Sequence, residues 1–536
     1  MGGDRKRIHM SDFGALSLVP PLLAILLAIV TRKAVLSLFL GVWVGGVIYT
    51  GGLGVGQTFT WIASALGDSV FHAQVVIFLL LLGSAVAMIW RIGGSYAVRD
   101  WTMDHLDSQR KAGVVAWLLG IAMFFDDYAN TAIVGSSVKD VSDRLKISRE
   151  KLSYIVDSTA APVSTLGISS WVAYQLTMIE EGYAATDLAA SEIPDAFEVF
   201  LQSIPFNMYA ILAIVMVGIV VLSGRDYGEM LGAEHRAATT GLVSREEARP
   251  MQDVAAELGE PDVTNPRLRS FFLPIAVLIV VTLGSGLYTG YQPGATLQEM
   301  FTGGDYAMAL IFGSFAMVVS TYLLAWFDGH LTLSESVDAT IDGFSLMLTA
   351  VTILVLAWSI GNVANDLGTG TYVAGIATQT LSPAVLPAVV LFVTGFVAFS
   401  MGSAWAAMSI MTPIVIPVAW ELAGTHTMVA VVVGMVFSGA IFGDHTSPIS
   451  DTTVLSATFT GADLIDHVRT QLYYAITVAV VTASLMVVWG VTRISPLVLL
   501  VVGVVVLTGL VYALSALDAR RRSIDPVQTP AESTDD

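Results

Sequence analysis

Val156-Asp157-Ser158-Thr159-Ala160-Ala161-Pro162-Val163-Ser164 and Gly443-Asp444-His445-Thr446-Ser447-Pro448-Ile449-Ser450-Asp451 lie in the two halves of a 536-residue chain, each behind a long apolar run. Both read Asp, hydroxyls, Pro, an apolar residue, then Ser. A carboxylate near the centre of a bilayer costs roughly 2.5–3.5 kcal/mol on insertion scales, so each Asp is a candidate functional group. Two related copies in two halves point to a transporter built from repeats.

Composition agrees. Hydrophobic residues make up 55% of the chain and charged residues 13%. Many stretches exceed the roughly 20 apolar residues that cross about 30 Å of hydrocarbon. Because lipid forces backbone groups to bond internally, only helices or a closed barrel can span it. The apolar runs are continuous rather than alternating, which selects an all-α polytopic membrane protein. The absence of cysteine excludes thiolate chemistry and disulfides. The net charge of −19 argues against nucleic-acid binding. Acidic surplus is a lever that halophiles use, so a salt-loving source is one reading; ordinary acidic loops and tail are the other. The surplus includes Glu180, Glu181, Asp187, Glu192, Asp195 and Glu198, with Glu532, Asp535 and Asp536 in the tail.

Lys and Arg mark cytoplasmic loops. One cluster is Arg91, Arg99, Arg110 and Lys111, and the next is Lys139, Arg144, Lys146, Arg149 and Lys151. With both inside, segment 112–138 must enter and return. Two crossings need about 40 residues, more than it has, so it reads as a re-entrant hairpin with Asp126 and Asp127 at its tip. Segment 152–176 then leaves the cytoplasm and 201–223 returns. Residues 12–223 form a first membrane repeat, 224–268 a polar cytoplasmic linker with some helix, 269–515 a second repeat, and 516–536 a cytoplasmic tail behind Arg520, Arg521 and Arg522. One conflict remains: Arg32 and Lys33 inside would put Arg5, Lys6 and Arg7 outside. A start at Met10 would remove it; otherwise the first crossing is misread. No small-residue cleavage site follows the first apolar run, so a cleaved signal peptide is not expected.

The chemistry centres on interrupted helices. Pro162 cannot donate a backbone bond and clashes with the carbonyl of Ser158, which would free acceptor oxygens beside Asp157, Ser158 and Thr159. Hard cations such as Na⁺ take oxygen ligands of this kind, and broken transporter helices supply them. Segment 428–458 repeats the design, with Asp444, Thr446 and Ser447 before Pro448 and Ser450, Asp451, Thr452 and Thr453 after it. The plain alternatives are hydroxyls bonded back to their own helix and a proline that only kinks it. The hairpin tip Phe124-Phe125-Asp126-Asp127-Tyr128-Ala129-Asn130-Thr131 adds adjacent carboxylates, which resist double ionisation in low dielectric, so that one could carry a proton; the plain alternative is one ligand and one structural cap. Its counterpart, Phe399-Ser400-Met401-Gly402-Ser403-Ala404-Trp405, has no carboxylate, so the halves are not chemically equivalent. His445 beside Asp444 could share a proton near neutral pH; a polar neighbour that only orients the Asp is the equal alternative. Asp463, Asp466 and His467 read as a solvated loop, Asn365 and Asp366 as a plain helix end, and Asn207 as a minor candidate. No phosphate loop is present, which leaves ATP-driven pumping unsupported.

Residues 124–131, 147–162, 443–453 and Asp-His-Val-Arg-Thr-Gln-Leu at 466–472 together resemble the NhaC-type Na⁺/H⁺ antiporters of the ion-transporter superfamily, over roughly residues 13–490. The resemblance implies inverted repeats with re-entrant hairpins and interrupted transmembrane helices, a homodimer, and exchange of Na⁺ for H⁺ at the plasma membrane without a cofactor. It places ion coupling on Asp126, Asp127, Asp157 and Asp444, with Asp127, Asp157 and Asp444 as the cation's carboxylate ligands. Asn130, Thr131, Ser158, Thr159, Ser403, Thr446, Ser447 and Asp451 would complete the cation sites, and His445 would partner the proton. The family's second hairpin usually reads Ala-Thr-Gly-Thr-Ser-Trp-Gly-Thr. Here residues 400–407 read Ser-Met-Gly-Ser-Ala-Trp-Ala-Ala, with two hydroxyls fewer. A Na⁺- or H⁺-coupled exchanger of a small organic anion or amino acid therefore stays open beside Na⁺/H⁺ exchange. An intramembrane aspartyl protease does not: Phe442 stands where its Gly-Asp motif needs Gly, and Phe125 and Val156 where it needs Tyr. A passive channel fits poorly, because carboxylates on broken helices suit tight, alternating binding better than fast conduction.

Overall fold

Two short apolar helices, α1 (Val19–Thr31) and α2 (Ala34–Thr50), pack on one another as a hairpin. The 3₁₀ turn Gly14–Leu18 runs directly into α1, so both helical paths lie near the short end of what a full span needs. The computed structural model describes residues 13–528 except 32, 68–69, 95, 98–107, 125–126, 168–169, 185, 187, 190, 250–266, 370–371 and 373–381. Among the described residues there is no strand; Arg225 and Val527 form one isolated antiparallel bridge.

After α3 (Val55–Gly67) and α4 (Val70–Arg91) comes the hairpin that the basic clusters implied, α5 (Gln109–Ala122) and α6 (Asp127–Arg144). Ser108 caps α5 by accepting from the Lys111 amide. Gln109 Nε2 donates to the carbonyls of Leu145 and Lys146 at 3.1 and 2.8 Å, tying the two ends of the hairpin together. The chain then enters α7 (Arg149–Ser164), capped by Ser148 and buried along almost its whole length. Here the structure corrects the sequence reading. Pro162 does not break the helix at Asp157; α7 runs through it and stops two residues later. Asp157, Ser158 and Thr159 thus sit inside a regular helix, and the interruption falls between Ser164 and α8 (Ser170–Ala184).

Helix α9 (Ala196–Ser203), its 3₁₀ extension Ile204–Phe206 and α10 (Met208–Ser223) form one path bent by 45° at Asn207. The linker opens with α11 (Glu229–Thr240), which lies against α7. The second half contains α12 (Arg269–Thr289), α13 (Leu297–Thr302), α14 (Tyr306–Asp328) and the long α15 (Leu333–Asp366). Thr332 and Glu335 close a capping box on α15; the helix ends at Asp366 as expected, but that carboxylate also accepts from Trp61 Nε1 on α3 at 2.7 Å. A second hairpin joins α16 (Leu386–Met401) to α17 (Ala404–Ala423) through Gly402, whose φ of +66° suits glycine. Next come α18 (His426–Thr446), α19 (Asp451–Thr460), α20 (Leu464–Thr492) and α21 (Pro496–Arg522).

Seven of the described helices are long and apolar enough to cross a membrane. The apolar window of α18 is 83% buried, against 33% for α12 and 22% for α21. Helix α18 is therefore central, and α12 and α21 turn apolar side chains outward to lipid.

Candidate functional site

Between α18 and α19 the second motif breaks the helix as its sequence demands. Pro448 pushes the preceding residue out of the helical region, and Ser447 accordingly has φ −92° and ψ 123°. Asp444 occupies the last turn of α18, Asp451 opens α19, and both are buried. The hydroxyls of Ser450 and Thr452 each donate to one carboxylate oxygen of Asp444.

Asp157 faces this break from α7. Thr453 and Ser456 donate to its two oxygens, each at 3.2 Å, and Gln471 Nε2 donates to Oδ2 at 2.6 Å. Thr453 also reaches the Asp444 carbonyl at 3.2 Å, so one hydroxyl links the two motifs. His467 Nε2 lies 3.3 Å from Asp157 Oδ2, close enough for an ion pair when protonated but not aligned as a hydrogen bond. His445 meets the Tyr209 hydroxyl through Nδ1 at 3.1 Å, and its carbonyl accepts from Gln471 at 2.9 Å. Asp157, Asp444, His467 and Gln471 are completely buried. Burying such groups is costly unless their hydrogen bonds are made; hydroxyls at the start of α19 and just before it serve the two carboxylates, whereas the ring nitrogens of His467 and Gln471 Oε1 have no hydrogen-bond partner.

The other expected residues spread around this centre. Asp126 lies outside the described residues. Asp127 is buried at the start of α6. Asn130 donates to the carbonyls of Gly120 and Thr159 at 2.7 and 2.9 Å, locking the hairpin to α7, while its Oδ1 has no partner. Tyr128 donates to Asp451 Oδ2 at 2.5 Å, which joins hairpin and break. Three hydroxyls take the plain alternative: Thr131 bonds Tyr128, Thr159 bonds Ile155 and Thr446 bonds Phe442, each at a carbonyl of its own helix. Ser158 is buried on α7. Ser447 donates to the Phe399 carbonyl at 2.9 Å, and a Cβ on Gly402 would stand 2.7 Å from the Ile449 carbonyl oxygen. The α16–α17 hairpin thus touches the α18–α19 break. Ser403 is half-buried and caps α17 by accepting from the Ala406 amide. Among the described residues no three His, Cys, Asp or Glu side chains gather as a metal-holding cluster, so Asp127, Asp157 and Asp444 do not converge into one.

Reading Asp463, Asp466 and His467 as a solvated loop is overturned. Asp463 caps α20 by accepting from the Ile465 and Asp466 amides, Asp466 pairs with Arg245 at 2.7 Å, and His467 turns inward. Once α20 starts at Leu464, His467 and Gln471 share a face by i,i+4 spacing, and that face meets α7. Their spacing in Asp-His-Val-Arg-Thr-Gln was the available signal. Asn207 bridges instead, donating to Thr165 and accepting from Ser438.

One end of the molecule carries a charged belt. Lys151 Nζ pairs with Asp226 at 2.6 Å and Glu234 at 3.3 Å, Arg236 pairs with Glu150, and Arg469 with Glu229. A cavity of 540 Å³ opens here, lined by Gln109, Lys146, Lys151, Asp226 and Gln528 among others. Both hairpin ends, the start of the linker and the tail therefore share this end. Burial lifts the Glu234 carboxyl above its ordinary range, against the pull of Lys151.

A helical, membrane-spanning body with buried carboxylates gathered at a helix break defines a secondary-active transporter. Residues 163–491 match the Na⁺/H⁺ antiporter family. An uncharacterized protein of Haemophilus influenzae is 34% identical over 89% of this chain and 91% of its own length. The chain belongs to the Na⁺/H⁺ antiporter family, whose members are antiporters and not enzymes. Two relatives match over shorter stretches. The malate-2H⁺/Na⁺-lactate antiporter of Bacillus subtilis is 32% identical over 28% of this chain and 32% of its own. The Na⁺/H⁺ antiporter NhaC of Alkalihalophilus pseudofirmus is 29% identical over 32% and 37%.

Proposed function

We propose that the protein exchanges Na⁺ for H⁺ across the plasma membrane by alternating access, with Asp157 and Asp444 as the carboxylates for which the two ions compete. The observation that carries this reading is the Thr453 hydroxyl shared between Asp157 Oδ2 and the Asp444 carbonyl. The hydroxyls that donate to these carboxylates can rotate and offer oxygen lone pairs to a cation instead. The sites expected to complete the ion path are Asp126, Asp127 and Asn130 at the hairpin and Asp451 at the break. The belt of basic and acidic side chains faces the cytoplasm, with the tail beside it. Residues 12–223 and 269–515 act as inverted repeats joined by the 224–268 linker, and the working unit is a homodimer.

The test is Na⁺-induced proton flux in proteoliposomes containing a trapped pH dye and no organic solute. A saturable, Na⁺-dependent pH change is expected; no flux from folded protein would overturn the reading. A second reading, exchange of a small organic anion, draws on Trp405. Its ring lies 5.1 Å from Trp171 and 4.9 Å from Tyr174 beside the Gly402 hairpin, where the two hydroxyls are missing. The relative named for malate and lactate supports it as well. Stabilisation by malate or lactate but not by Na⁺ alone would favour it.

A further inference from the structure

Gln471, like Thr453, is a neutral side chain that touches both motifs through a single atom. Its Nε2 donates to Asp157 Oδ2 at 2.6 Å and to the His445 carbonyl at 2.9 Å, which uses both amide protons. These two acceptors fix the orientation of the amide, because an oxygen placed there would face two others. The consequence lies on the far side. Gln471 Oε1 is buried without a hydrogen-bond partner, and a buried acceptor left unmade costs about 1–3 kcal/mol. The amide is satisfied at one end and starved at the other.

A cation reverses that balance. Rotating the amide by half a turn would bring Oε1 toward Asp157 Oδ2 and the His445 carbonyl. Three oxygens converging from α7, α18 and α20 repel one another unless a positive charge sits among them. The Thr453 hydroxyl, already on Asp157, would supply a fourth oxygen by rotating its proton away. We infer that Gln471 is a Na⁺ ligand: its amide donates to Asp157 when the cation is absent and turns its oxygen inward when Na⁺ arrives. This inference rests on the Na⁺ reading above and extends it, because neither motif contains Gln471 and the hydroxyl sets expected from them do not reach it. The ligand is neutral, so it adds no charge to the carboxylates for which the two ions compete.

The test uses the full-length protein with Gln471→Met and Gln471→Glu between pH 7.5 and 9.5. Two readouts are taken: the Na⁺ concentration for half-maximal thermal stabilisation, and the half-saturating Na⁺ for proton flux. Methionine keeps the bulk but offers neither donor nor oxygen, and its Na⁺ affinity is expected to fall roughly 10–100-fold. Glutamate keeps the oxygen but, buried against Asp157, shares a proton with it instead of adding a second charge; Na⁺ must expel that proton, so between pH 7.5 and 9.5 its Na⁺ affinity is expected to climb to within about threefold, or ~0.7 kcal/mol, of the unaltered protein. If Gln471 only props Asp157 as a donor, the Glu variant loses Na⁺ affinity as that proton leaves with rising pH; that result, or a Met variant with unaltered Na⁺ affinity, overturns the proposal. Should the Met variant not fold, the Glu variant decides alone. Absence of any Na⁺ response in the unaltered protein would instead remove the Na⁺ reading itself, and this ligand with it.

Discussion

Asp157→Asn separates the electrostatic role of the carboxylate from its place in the fold. The side chain is fully buried and accepts from Thr453, Ser456 and Gln471. Asparagine keeps one carbonyl oxygen, which can stay against Gln471 and Thr453 on the Oδ2 side. Its amide then faces Ser456, whose hydroxyl can turn to accept, so no partner is stranded. The structural loss is the weakening of a few hydrogen bonds, about 1–2 kcal/mol in all. The loss to a bound cation is far larger. A unit charge about 4 Å away at an effective dielectric of about 20 contributes about 4 kcal/mol, which corresponds to roughly a thousandfold in affinity. In proteoliposomes the half-saturating Na⁺ for proton flux should therefore move out of the accessible range, while thermal unfolding in detergent shows a folded, slightly weakened protein. An Asn variant that holds its Na⁺ half-saturation within about threefold of the original would refute the placement of the cation at Asp157.

Lys151→Met strands Asp226 and Glu234 in a buried site, so unfolding should become easier by about 3–5 kcal/mol, read as a lower denaturation midpoint. Burial raises the Glu234 carboxyl above its ordinary 4.5, so the folded state holds that proton more tightly than the unfolded chain. The associated stability is complete below about pH 4.3 and fades as pH climbs through the raised value. Glu234→Gln should flatten the decline in melting temperature on the alkaline side of that point, and an unchanged slope would count against it. Gly402→Ala and Gly424→Ala both force a side chain into left-handed backbone, at roughly 1–2 kcal/mol. Only at Gly402 does the new Cβ meet the break, at Ile449; around Gly424 there is open space. Transport should fail in the first variant and survive in the second, as proton flux at matched protein amounts would show.

The α5–α6 hairpin was legible because charge and length sufficed: two basic clusters with too few residues between them for two crossings. The break at Pro448 was legible because proline constrains the residue before it. His467 and Gln471 escaped because their neighbours Asp463, Asp466 and Arg469 are charged, and a short polar stretch looks solvated when its partners are far away in sequence. Arg245, in the linker, pairs with Asp466, and the backbone amide of Arg249 donates to Asp463. No local pattern announces such partners. The hydroxyls divide by the same logic. Thr159 and Thr446 satisfy themselves on their own helices, whereas Thr452, Thr453 and Ser456 line the start of a helix that meets Asp157 and Asp444.

Pro162 and Pro448 show why one motif yields two local structures. Each removes a donor and crowds the carbonyl four residues earlier. Proline also disfavours helix in the residue before it, yet Ala161 stays helical and Ser447 does not. The surroundings differ. Helix α7 is packed by α5, α6, α10, α19 and α20 along its length, which holds it helical through Pro162; the carbonyl that loses its amide donor is that of Ser158, more than one turn before the helix end. Pro448 instead sits where α18 has already ended, and the extended Ser447 sends its hydroxyl to Phe399 on α16. Asp157 is thus held on a rigid helix, where exchanging one ligand for another needs only side-chain rotations. Asp444 and Asp451 flank irregular backbone, so a change of ligand there can also move the ends of α18 and α19. If the proposed ion exchange runs through both motifs, Asp157 is its fixed carboxylate and Asp444 its movable one, and the Thr453 hydroxyl that spans Asp157 Oδ2 and the Asp444 carbonyl would pass a change at one to the other.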